Sequence, residues 1–338
     1  MGPVRARGSG SRGPVRPPAR PRSSSAGGGL RPGAAVPIAT GAALPAGATA
    51  VLRREHGELT DGLLHGPYGE GRDVRRRGQE CRQGEPLLPA GTTVTPAVLG
   101  LAAAAGHDQV AVHRSPLVEL LVLGDELLDA GPPLHGRVRD ALGPLLPPWL
   151  RGCGARLTGR PVPDDSEALR AAIRDSTADV LITTGSTAAG PVDFLHEVLD
   201  EIGARLLVDS VAVRPGHPML LAELPPAGDS HARRLVGLPG NPLAAVVGTA
   251  TLAVPLLRRL GGHQDPAPLL LPTAADLPGH PRDARLLPVR RTGCEVVPVP
   301  FDGPAMLRGL ALADGLAVVP PGGATAGTDI EVLEVPAP

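Results

Sequence analysis

The sequence predicts an α/β protein: a mostly parallel sheet, preceded by a partial β-rich lobe and followed by a small β-barrel domain. Three observations carry that prediction. Between Leu117 and Val208, short apolar runs alternate with amphipathic stretches, the pattern of βαβ units with helices on both sheet faces. Two glycine turns, TTGSTAAG at Thr183 to Gly190 and GLPGNP at Gly237 to Pro242, each follow an apolar run and lead into a helical stretch. Such a turn aims its N–H groups and the helix N-terminus at an anion. From Leu286 to Val335, short strands punctuated by Gly and Pro replace the alternation, as in a small barrel or sandwich.

Taken in order, residues 1–35 are Arg, Pro, Gly and Ser with few large apolar side chains. A basic tail of that kind buries too little surface to offset the cost of ordering it. Residues 36–115 form the partial lobe: a short strand from Val36, a Gly/Pro turn, and a second strand at TAVLRRE. Tight turns follow from Arg72 to His113, with one small apolar segment at Ala97 to Ala105. Residues 116–262 form the α/β domain. Leu117 to Leu123 reads as a buried strand. Arg137 to Leu150 is helix-like, and Pro147 and Pro148 are expected to end or break it. Ala155 to Thr158 is a short strand. Asp165 opens a helix with Leu169, Ala172 and Ile173 on one face. Val180 to Thr183 is a strand, Val192 to Ile202 a helix, and Arg205 to Val208 a strand. After the second turn, Asn241 suits an N-cap and Pro242 the first helical position, and Gly261 and Gly262 stop the helix. A linker from Gly262 to Pro268 leads to the last domain, residues 268–338.

Composition narrows the function. The 338 residues carry a net charge of −1 and only 1% aromatic residues. That charge argues neither for nor against nucleic acid, but there is little to stack bases on, so no nucleic-acid partner is expected. Arg supplies all the fixed positive charge, because the chain has no Lys. Cys81, Cys153 and Cys294 are isolated and odd in number, so a reducing cytoplasm is expected. The apolar run Pro242 to Leu257 is short for a membrane span and contains Pro255. It is read as a buried core helix, with no membrane partner.

Eight motifs, in order, resemble the molybdopterin molybdenumtransferase family (MoeA and the gephyrin E-domain). They are ATGAALPAGATAVLRRE, GRDVRRRGQE, LVLGDELL, PDDSEAL, TTGSTAAGPVDF, VRPGHP, GLPGNPLAA and AMLRGLALADGLAVVP. The resemblance implies a three-layer molybdopterin-binding domain. It implies binding of adenylylated molybdopterin, uptake of molybdate, and release of AMP and the molybdenum cofactor with Mg²⁺. It also implies a homodimer, with a molybdopterin adenylyltransferase and molybdoenzymes as possible partners. The catalytic acids are then Asp193, Glu126, Glu80 and one of Asp164 and Asp165, for which Asp165 is taken. Asp193 and Glu126 are the metal ligands. The ligand-binding residues are Thr40, Thr184, Gly185, Ser186, Gly190, Arg214, His217, Pro239, Gly240, Asn241 and Pro242.

The residues also permit plainer roles. Asp164 or Asp165 suits the cap of the helix near Ser166, Glu126 a solvated turn, and Glu80 a surface partner within a basic run. Four departures from the family pattern stand out. No counterpart of its N-terminal S-x-M-D-G-Y-A motif is found, and the tail before Val36 resembles nothing in it. Arg214 and His217 replace two lysines. Ser186 replaces a glycine, and its Cβ disfavours a positive φ. Asp140-Ala141-Leu142 replaces Asp-Ser-Asn, so a polar ligand contact is expected to be lost. These departures leave a second expectation, a non-catalytic homologue that binds or carries the cofactor.

Overall fold

The computed structural model describes residues 29–187, 194–226, 232–264 and 266–335. The chain divides into two compact units between Leu88 and Pro89.

In the first unit, β1 (Glu58–Thr60) and β2 (Leu63–His65) pair antiparallel. Asp61 and Gly62 between them both have positive φ, 49° and 76°, as a tight two-residue hairpin requires. The two strands expected between Val36 and Arg54 do not form. That stretch is turn and irregular backbone, ending in a 3-10 turn at Arg54–His56. Leu30 and Ala35 are buried, and the Leu30 N–H donates to the Ala46 carbonyl at 2.6 Å. The boundary drawn at Val36 therefore falls inside a packed segment.

The second unit opens with α1 (Pro96–Ala104), capped by Thr95. Next come β3 (Leu117–Leu123) and a small parallel pair, β4 (Leu127–Leu128) and β5 (Val138–Arg139). The helix expected from Arg137 starts later, as α2 (Leu142–Gly152), because Val138 and Arg139 are drawn into that pair. It also runs straight through Pro147 and Pro148. Leu146, Trp149 and Leu150, buried against the sheet, hold it in place. Then follow β6 (Arg156–Val162), α3 (Ser166–Asp175), β7 (Val180–Thr184), α4 (Leu195–Glu201), β8 (Arg205–Asp209), β9 (Val213–Arg214), β10 (Leu220–Leu224) and β11 (Arg233–Leu238). Among these, β10 has no counterpart in the sequence reading.

The main sheet has the order β6-β3-β7-β11-β10-β8, with only β10 antiparallel to its neighbours. Alternate residues of each strand serve opposite faces. Val118, Leu120, Val180, Ile182 and Val236 pack with α2 and the helix that follows β11. Leu121, Leu181 and Leu235 pack with α3 and α4. Asp179 fixes the start of β7: its carboxylate accepts from the Leu117 N–H at 2.7 Å and from both terminal nitrogens of Arg114.

The helix after β11 is α5 (Pro242–Gly248), a π-helical turn (Thr249–Ala253) and α6 (Val254–Leu260). Pro255 lacks the N–H that a regular helix needs, and the widened turn absorbs it. Thr249 and Thr251 donate their hydroxyls to the Ala245 and Val247 carbonyls. By length and composition Pro242–Leu260 is apolar enough to cross a membrane. Leu243, Ala245, Val246, Val247 and Leu257 are nevertheless fully buried in the protein core.

The last region contains β12 (Leu270–Pro272), β13 (Ala284–Thr292), β14 (Glu295–Pro298), β15 (Gly315–Val319) and β16 (Asp329–Glu334), in the order β12-β16-β15-β13-β14. A bridge from Thr273 to Val296 joins the two ends of that sheet. β9 adds to β13 in parallel, with Arg214 opposite Arg285.

Candidate functional site

The two glycine turns lie side by side. β7 and β11 are paired parallel neighbours, with Thr184 opposite Leu238. The Gly185 N–H donates to the Leu238 carbonyl at 2.7 Å. A methyl group built on Gly240 would sit 3.6 Å from the Gly185 Cα, so the loops touch. At the root of this pair, the hydroxyls of Thr183 and Thr184 are buried without a hydrogen-bond partner among the described residues. Their strand alternation sends one to each face of the sheet.

Ser186 does adopt a positive φ, 57°. Its Oγ accepts from the Phe194 N–H at 2.8 Å, a local bond that glycine does not supply. Gly190 and Asp193, called as ligand, catalytic and metal residues, lie outside the described residues.

The acids gather at the carboxyl ends of β3 and β6, which are adjacent. The Asp125 N–H donates to Asp164 Oδ2 at 3.0 Å, tying the two loops together. Glu126 is exposed and folds its carboxylate over Gly124, whose φ is 130°. Asp165 is the N-cap of α3, accepting from the Ala168 N–H at 2.8 Å; a carboxylate at a helix start finds that partner first. Of the alternatives at this pair, the capping role therefore falls to Asp165. Asp140 Oδ1 accepts from the Leu142 and Gly143 N–H groups, so it caps α2. Among the described residues, no group of three or more His, Cys, Asp or Glu is placed to hold a metal ion. Thr40 and Glu80 belong to the first unit, and both are exposed.

Beside the second glycine loop is a cavity of about 360 Å³, lined by Arg214, Gly216, His217, Pro239, Asn241, Arg285 and Asp302 among others. Arg214 Nε donates to Asp283 at 2.7 Å. That bond, more than any other interaction, holds the Asp283 carboxyl below its usual range against the opposing effect of burial. His217 Nδ1 is 2.8 Å from the Val211 carbonyl, so this nitrogen donates and Nε2 is left for other partners. Arg285 donates to Asp302 at 2.6 Å.

Asn241 precedes α5, but its side chain makes no capping bond. The Pro304 carbonyl takes that place, accepting from the Leu243 and Ala244 N–H groups at 2.8 and 3.3 Å. A loop more than sixty residues downstream thus satisfies the helix start, and nothing local to GLPGNP announces it. Arg285, Asp302 and Asp283 were likewise missed. The charged stretch Arg282-Asp283-Ala284-Arg285 was the available signal for two of them, but the site-facing role depends on β13 pairing with β9.

Three family models match in succession. The MoeA N-terminal region (domain I and II) matches residues 4–106, a probable molybdopterin binding domain residues 119–259, and the MoeA C-terminal region (domain IV) residues 271–335. The first match overturns the expectation that the stretch before Val36 resembles nothing in the family. The molybdopterin molybdenumtransferase of Synechococcus elongatus is 32% identical over 251 residues, covering 72% of this chain and 61% of the relative. That of a Nostoc species is 34% identical over 241 residues, covering 69% and 54%. The chain thus spans less than two thirds of the length of these relatives. The crystal structure of the molybdopterin biosynthesis MoeA protein from Pyrococcus horikosii is 26% identical. It superposes with a TM-score of 0.73, covering 90% of this chain and 77% of that one. With the family's regions matched in order and its fold shared across both units, this chain belongs to the MoeA family.

Proposed function

We propose that this chain is a molybdopterin molybdenumtransferase: it takes molybdate and adenylylated molybdopterin and releases AMP and the molybdenum cofactor. The observation that carries the reading is the contact between the Gly185 and Gly240 loops, above the hydroxyls of Thr183 and Thr184, which have no hydrogen-bond partner among the described residues. Paired glycine loops at the carboxyl ends of parallel strands suit phosphate oxygens, and buried hydroxyls without partners favour a polar ligand.

In this reading the loops cradle the phosphates within a three-layer domain. Arg214 and His217 offer their remaining nitrogens to an oxyanion. The loop from Asp302 to Pro304, carried by a small C-terminal barrel, forms one wall of the cavity. The donors at the carboxyl ends of β3 and β6 are hard carboxylate oxygens, the type Mg²⁺ prefers. Glu126 and Asp193 would hold that ion. Bound there, it would supply charge neutralisation to phosphate oxygens.

A homodimer is part of the proposal. The segment around α1 leaves Val94, Leu99, Val110 and Val112 exposed, an apolar surface that a second copy would cover. The enzyme would act in the cytoplasm, and the suppliers and recipients of its cofactor are a molybdopterin adenylyltransferase and molybdoenzymes.

The test is molybdate-dependent AMP release from adenylyl-molybdopterin with Mg²⁺. Wild type is expected to release AMP, and Asp193→Ala to fold normally yet release none. Tight pterin binding without AMP release by wild type would favour a non-catalytic carrier instead.

A further inference from the structure

We infer that Asp283 is a positioning residue that aims the Arg214 guanidinium into the cavity beside the second glycine loop. The inference rests on the proposed oxyanion role of Arg214. Pairing of β9 with β13 sets Arg214 directly opposite Arg285, and both line the same cavity. Like charges opposite one another on paired strands repel and drive long side chains apart. Here each is tethered by its own carboxylate, Arg214 by Asp283 at 2.7 Å and Arg285 by Asp302 at 2.6 Å.

The atoms used are informative. Asp283 takes Nε of Arg214, which leaves the two terminal nitrogens as the fork for an anion. The Asp283 side chain is only 14% exposed, whereas that of Arg214 is 44% exposed, so the anchor is fixed and the fork is open. His280 does not compete for this role. Its Nδ1 accepts the Asp283 N–H at 3.0 Å and stands 3.5 Å from the carboxylate, farther than Arg214 Nε at 2.7 Å. A lysine would need no such anchor, since an ammonium is a point charge without a plane to orient. Arginine at position 214 therefore makes a carboxylate at position 283 functional.

The test compares Asp283→Asn with wild type in the full chain, alone and combined with Arg214→Lys. AMP release is measured against molybdate concentration, and tungstate binding by calorimetry. Asp283→Asn is expected to raise the KM for molybdate and the Kd for tungstate about tenfold, with little change in kcat. In the Arg214→Lys background the same change is expected to have no effect on either constant. A purely structural role would impose the same loss in both backgrounds and would overturn the inference, as would an unchanged tungstate Kd in the single variant. If wild type releases no AMP, the proposed activity fails, and the tungstate comparison alone still decides the role of Asp283. Absence of tungstate binding by wild type would overturn it as well.

Discussion

At the scale of single residues, hydrogen-bond partners separated roles that residue type left open. Asp164 and Asp165 are interchangeable in the sequence. In the fold, one braces the β3 loop and the other caps α3. Asn241 had every local mark of a cap, yet a distant carbonyl reached the helix start first. Ser186 is the sharpest case. The sequence marked its Cβ as an obstacle, and the backbone takes the left-handed conformation regardless. Its Oγ offsets the strain by bonding to the Phe194 N–H. Ser186→Ala keeps the strain and loses the bond, so it is expected to destabilise by about 1 kcal/mol. Ser186→Gly loses the bond but also the strain, and is expected to be near neutral. Urea midpoints decide between these outcomes, and equal losses for both variants would contradict the account.

At the scale of elements, the strands that read as continuous apolar runs were legible to within a residue or two, because burial on both faces leaves no other pattern. β10 escaped notice because Glu223 interrupts it and its direction opposes its neighbours. α2 was misjudged for a physical reason. Proline removes a helix hydrogen bond, but Leu146, Trp149 and Leu150 bury enough surface to keep the helix intact. Pro148 is exposed, so its ring contributes little to that packing. Pro148→Ala is therefore expected to stabilise the protein by about 2 kcal/mol. A lower urea midpoint for this variant would mean that the prolines contribute something beyond their helical cost.

At the scale of the second unit, the α/β sheet and the last β region share one core. Leu286, Leu316 and Val335 pack in the same cluster as Trp149, Met219 and Val247. Leu316→Ala, at a fully buried position, is expected to cost about 2–4 kcal/mol. Because Trp149 is the sole tryptophan, its fluorescence reports on the α/β part. The variant should shift that transition and the far-UV circular dichroism transition together. Separate transitions would show that the two regions unfold independently.

The sequence by itself determined the strand–turn–helix order, the two glycine loops and the family, since these depend on local periodicity and on residues whose backbone freedom is special. Only the tertiary structure decided which groups meet. Pairing β7 with β11 brought the loops into contact, and pairing β9 with β13 set Asp283 against Arg214. Such partners lie tens of residues apart, and no local rule fixes which strand edge a chain segment will join.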